Sequence, residues 1–133
     1  MVALTKDRNT SERAGHDASH PIAANIICFA GGMGAVNAAG NAVPASNTAG
    51  LKVVGRIQKH TDNTGGLAGA LTVTMKRGVF QFGNSPTSPL TVADIGGNAV
   101  VEDDATVAKA ATNNIVAGKI LNIDAAGVWI EIR

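Results

Sequence analysis

The stretch Ala117-Gly118-Lys119-Ile120-Leu121-Asn122-Ile123-Asp124-Ala125-Ala126-Gly127-Val128-Trp129-Ile130-Glu131-Ile132-Arg133 reads as a β-hairpin. Side chains alternate across a strand, so Val128, Ile130 and Ile132 share one face and Trp129, Glu131 and Arg133 the other. In the first arm of the hairpin Ile120 and Asn122 share a face, opposite Leu121 and Ile123. Asp124-Ala125-Ala126-Gly127 supplies the turn. The last strand is therefore expected to be an integral part of the fold.

Upstream, the same period of two recurs. Leu71, Val73 and Met75 point one way and Thr72, Thr74 and Lys76 the other. Gly78 allows a tight connection into Val79-Phe80-Gln81-Phe82, where the two Phe share a face. Leu51 to Gln58 reads as a strand with Gly55 as a possible bulge, and Asn25 to Phe29 as a buried strand. Ala35-Val36-Asn37, Ala42-Val43-Pro44 and Asn98 to Glu102 are further short pieces. Thr106 to Ala111 fits a strand or a short turn. Asp62 to Gly66 and Asn84 to Pro89 read as loops, and Thr91 to Asp94 as one helical turn capped by Thr91. The expected fold is mainly β: a small β-barrel or sandwich of short strands over residues 21–133.

Residues 1–20 differ from the rest. Lys6, Arg8 and Arg13 balance Asp7, Glu12 and Asp17, His16 and His20 fall in the same stretch, and no apolar period follows Leu4. The segment reads as an extended N-terminal arm or as a disordered tail, closed by Pro21.

Composition narrows the function. Aromatics are 3% of 133 residues, so Ala, Val, Ile and Leu must build the core. The single cysteine, Cys28, excludes an internal disulfide and a cysteine-based zinc site; in its apolar run it reads as a buried inert thiol. A net charge of +1, one Trp and no Tyr argue against direct nucleic-acid binding. The uncharged run from Ala18 to Leu51 carries Pro21, Pro44 and several glycines, which suits neither a spanning helix nor membrane attachment. His16, His20 and His60 lack metal-ligand spacing, and Glu102-Asp103-Asp104 lacks that of a calcium loop. Gly31-Gly32-Met33-Gly34 is followed by no Lys-Ser/Thr and is no phosphate loop. No catalytic, cofactor-binding or metal-binding residue is assigned, and no enzyme is expected. Trp129 reads first as a core anchor and second as an interface anchor.

The charge is unevenly placed. Lys52, Arg56, Lys59, Lys76 and Arg77 stand against Asp62 alone, whereas Asp94, Glu102, Asp103 and Asp104 have no base among them. Either the two blocks neutralise each other within one domain, or a basic face of one copy meets an acidic face of the next.

Several segments in order carry a resemblance: Leu4-Thr5-Lys6-Asp7-Arg8-Asn9-Thr10, Ala39-Gly40-Asn41-Ala42-Val43-Pro44, Gly50-Leu51-Lys52-Val53-Val54-Gly55-Arg56, Asp62-Asn63-Thr64-Gly65-Gly66, Lys76-Arg77-Gly78-Val79-Phe80, Asp103-Asp104-Ala105-Thr106-Val107-Ala108 and Asp124-Ala125-Ala126-Gly127-Val128-Trp129-Ile130. Together they resemble the small capsid cement, or head decoration, proteins encoded beside the major capsid protein of tailed bacteriophages. The resemblance implies a mainly β domain on the outer capsid surface of the virion, often a trimer, made in the cytoplasm of the bacterial host. It also implies a terminal arm reaching across neighbouring capsid subunits. The expected partners are the major capsid protein and further copies of the chain. The expected contact residues are Lys6, Arg8, Arg13, His16 and His20 on the arm, Lys52, Arg56, Lys76 and Arg77 on basic strands, and Glu102, Asp103 and Asp104 at an acidic edge. The alternatives are a tail or spike β-module of the virion, or a small ligand-binding β-domain.

Overall fold

The structure, a computed structural model, describes residues 2–13 and 15–133; Met1 and Ala14, both in the expected arm, lie outside them. The described chain forms β1 (Asp17–Pro21), β2 (Ile27–Cys28), β3 (Met33–Val36), β4 (Ala42–Pro44), β5 (Lys52–Ile57), β6 (Thr61–Asp62), β7 (Thr72–Lys76) and β8 (Gly78–Asn84). A 3-10 turn (Val92–Asp94) precedes β9 (Asn98–Val101), β10 (Thr106–Ala108), β11 (Val116–Asp124) and β12 (Gly127–Ile132). The protein is mainly β, as its alternating pattern requires.

Strands β8 to β12 close into a five-stranded barrel in the order β10-β8-β12-β11-β9. The expected hairpin is β11 and β12, paired from Asp124↔Gly127 to Lys119↔Glu131. On its other side β12 pairs with β8, setting Val128 opposite Phe82 and Ile130 opposite Phe80. Closure comes from the parallel pairing of β10 with β8, Thr106↔Gly83 and Val107↔Asn84. Val128, Ile130 and Ile132 point inward and are buried with Phe82, Val101, Val107, Ala117 and Ile120. The first arm of the hairpin departs from strict alternation. The register shifts between Ile120 and Asn122, leaving Leu121 as an extra residue. This bulge turns both Ile120 and Ile123 toward the core, whereas simple alternation puts them on opposite faces.

The remaining long strands form a sheet in the order β1-β7-β5-β3-β4. Ile22 continues β1 and bridges to Ala42 of β4 in parallel, so the sheet rolls over on itself. Inside the roll lie Ile22, Cys28, Ala42, Ile57, Val73 and Met75. From the same sheet Met33 and Ala35 enter the barrel core, with Val53 packed against it. The sheet thus has an apolar cluster on each face, and its strands β3 and β5 lie between the barrel core and the interior of the roll. A polar tie joins them at one end: Asn113 donates its backbone N–H to Asn47 Oδ1 (2.9 Å) and its side-chain amide to the Asn47 carbonyl (3.0 Å).

Three local readings change. The segment read as an arm over residues 1–20 gives its last residues to the sheet, because Asp17–Pro21 pairs with β7 from Asp17↔Lys76 to Pro21↔Thr72. Of the stretch Asn25 to Phe29 only Ile27–Cys28 is strand, pairing with Thr61–Asp62 at the start of the predicted loop. Asn25 takes a left-handed φ of 53° so that its side chain can accept the Gly65 N–H, and Phe29 is exposed beside the His60 ring. Third, the expected bulge at Gly55 leaves Val54 as the extra residue, since Gly34 pairs with Gly55 and Ala35 with Val53. Gly55 itself is needed for close approach: a Cβ there would lie 2.6 Å from the Lys76 carbonyl oxygen.

Ile130 is fully buried at the barrel centre. Ile130→Ala is expected to cost about 2–5 kcal/mol in urea unfolding. Gly118→Ala would drive a Cβ onto the Glu131 carbonyl and should cost about 1–3 kcal/mol by the same measurement. An unchanged midpoint for either would contradict the barrel register.

Candidate interaction surfaces

Residues 2–13, which include Lys6, Arg8 and Arg13, form neither strand nor helix, and all are exposed. They lead into β1, an edge strand of the rolled sheet. His16 is exposed, and its carbonyl accepts the Arg77 N–H (2.7 Å). His20 sits in β1 opposite Val73, and its Nε2 is buried without a hydrogen-bond partner.

The basic residues do not form one face. Lys52 and Arg56 lie at opposite ends of β5, about 13 Å apart at the usual rise of a strand. Arg56 pairs in register with Lys76, which pairs in turn with Asp17. The Arg56 guanidinium lies 4.5 Å from the Phe80 ring centroid and donates to Gln58 Oε1 (2.7 Å), so it is engaged within the chain. Lys76 and Arg77 are exposed.

Most of the acidic block is engaged as well. Asp94 accepts the Thr91 N–H (2.8 Å), closing the 3-10 turn, and pairs with Lys109 at 3.8 Å. The Thr91 N–H, with a smaller contribution from Lys109, holds its carboxyl below the usual range. Glu102 accepts the hydroxyl of buried Ser85 (2.6 Å), pinning the proline loop to the barrel. Asp103 accepts the Ala105 N–H (2.9 Å). Asp104 is partly buried, and burial, then neighbouring Asp103, push its carboxyl above the usual range. Burial, and secondarily Asp104, also push the Cys28 thiol up to about 11, which keeps it protonated and inert at neutral pH. Among the described residues the ion pairs are Asp94–Lys109 and Glu131–Arg133. Neither joins the basic block to the acidic one.

Two grooves adjoin at Leu51, which lines both. One has buried Ile115, Ala117 and Ile132 at its base and exposed Lys52, Lys119 and Arg133 at its rim. The other is lined by Ile26, Val43, Pro44 and Ala45, with Asp103 and Asp104 beside them. Lys119 and Arg133 are absent from the sequence-derived contact residues; they lie on β11 and just after β12, distant from Lys52 in the chain, and the packing of the barrel on β5 brings them together.

Trp129 lies outside the barrel core, on the outer face, half-buried. Its Nε1 donates to Asp124 Oδ2 (3.2 Å), and Asp124 Oδ1 accepts from Gln81 Nε2 (3.0 Å), Ala126 N–H (2.8 Å) and Gly127 N–H (3.1 Å). The first reading of Trp129 as a core anchor is thereby corrected: alternation with Val128 and Ile130 turns it outward. Among the described residues no helix is long and apolar enough to cross a membrane, and no group of three or more His, Cys, Asp or Glu is placed to hold a metal ion. Comparison with protein-family models, curated proteins and solved structures finds no match to the chain.

The Trp129 indole, foremost, and the turn N–H groups hold the Asp124 carboxyl below its ordinary value of 3.8. A depressed folded value means that this contribution is complete above the unfolded pKa and is lost as pH falls through the folded one. Trp129 emission should therefore hold steady from neutral pH to about pH 4 and change only below it. Asp124→Ala should remove that acid transition and lower the urea midpoint.

Proposed function

We propose that the chain is a non-enzymatic structural protein of a phage virion, bound to the outside of the capsid and stabilising it across junctions between major capsid proteins. One observation carries the reading beyond the resemblance. An exposed polar segment, residues 2–13, precedes an edge strand of a body held by two apolar clusters. Such a segment can order along a neighbour's surface while the body stays rigid, covering much area for its length. Lys6, Arg8 and Arg13 give it the cations to meet carboxylates on a shell. Repeated over many copies, several modest contacts sum to a large stabilisation. Copies of the chain, as trimers in the resembling family, would share these junctions.

Copy number in purified virions, measured against the major capsid protein by quantitative mass spectrometry, tests the reading. Near-stoichiometric amounts are expected; a handful of copies would place the chain in the tail or at a vertex. Removing residues 2–13 spares β1 and should leave a folded domain that attaches to shells at least about tenfold more weakly, a change of about 1.4 kcal/mol. Undiminished attachment would remove the arm from the mechanism.

A further inference from the structure

We infer that copies of this chain bind one another by seating the Asp103–Asp104 groove of one on the Lys52–Lys119–Arg133 groove of the next. This rests on the reading that several copies act together and names the surface they use.

The two grooves match in chemistry. Each combines an apolar lining with a net charge of one sign: Val43, Pro44 and Ala45 beside two carboxylates in one, Ile115, Ala117 and Ile132 beside three cations and Glu131 in the other. Glu131 engages Arg133, which leaves the basic groove with a charge of two, equal and opposite to that of the acidic groove. Among the described residues neither Asp103 nor Asp104 has a cation within ion-pair distance. Asp104 is partly withdrawn from water next to a second carboxylate, an arrangement that a cation from outside the chain relieves. Among the described residues Lys52 and Lys119 likewise have no carboxylate within ion-pair distance, although Lys119 stands opposite Glu131 across β11 and β12. Opposed charge fixes register and excludes other pairings, while the apolar linings supply burial.

The test uses the full chain in solution, without capsid, so its result is independent of the virion assay. Sedimentation equilibrium should show self-association that weakens at least about tenfold between about 0.05 M and about 0.5 M salt. Asp103 and Lys119 are both exposed, but Asp103 accepts the Ala105 N–H and Lys119 stands opposite Glu131. Asp103→Lys and Lys119→Glu should therefore each stay folded and shift the unfolding equilibrium in urea by no more than about fivefold, or about 1 kcal/mol. Each alone should weaken association at least about tenfold by cancelling the charge of its groove. Mixing the two variants should restore a one-to-one pair, because the intact acidic groove of Lys119→Glu then meets the intact basic groove of Asp103→Lys. A monomer at every concentration up to about 1 mM would overturn the inference. So would association that either reversal leaves intact, or a mixture of the two variants that associates no better than either alone. Self-association with chains absent from virions would instead sink the capsid reading and keep the interface.

Discussion

Closure of strands β8 to β12 into a barrel is the constraint on which the rest of the molecule depends. A chain with three Phe, one Trp and no Tyr has little bulk with which to fill a wide interior. Barrel diameter grows with strand number, so five strands enclose a narrow space that Val, Ile and Ala can fill. Closure also satisfies the strand edges that an open sheet of this size leaves bare. The rolled sheet then becomes possible, because Met33, Ala35 and Val53 have a finished apolar surface to rest on. Its own small cluster around Ile57, Val73 and Met75 need not stand alone.

What the sequence reveals follows from the physics of each element. The β11–β12 hairpin and strand β7 are legible because one face is buried and the other wet, which writes a period of two into the residues. Bulges leave no such mark. Leu121 looks like any alternating residue, and only the burial of both Ile120 and Ile123 shows that one residue is extra. Strand β1 escapes for another reason: Asp17-Ala18-Ser19-His20-Pro21 is an edge with little to bury, so pairing with β7 rather than apolar pattern defines it.

The candidate surface divides in the same way. Runs of like charge are visible in a sequence, but their engagement is not. Arg56 belongs to Phe80 and Gln58, Asp94 to Thr91 and Lys109, Glu102 to Ser85. The cations left at the groove rim come from β5, β11 and the residue after β12, which only tertiary pairing assembles. Charge that looks like a strand property is thus sorted by the fold into internal ties and outward faces.

The order of strands around the barrel has a kinetic consequence. β8 is the first barrel strand to be synthesised, yet its neighbours are β10 and β12, and its pairing with β12 joins residues as far apart as Gly78 and Ile132. Until β12 emerges from the ribosome, β8 and β11 lack the strand that lies between them and the ring cannot close. Loop-closure entropy must be met before those long-range contacts form, which slows folding and prolongs the exposure of unpaired apolar strands. A nascent chain of this design is therefore most vulnerable to aggregation just before β12 arrives, and the barrel should close only after β12 has been made.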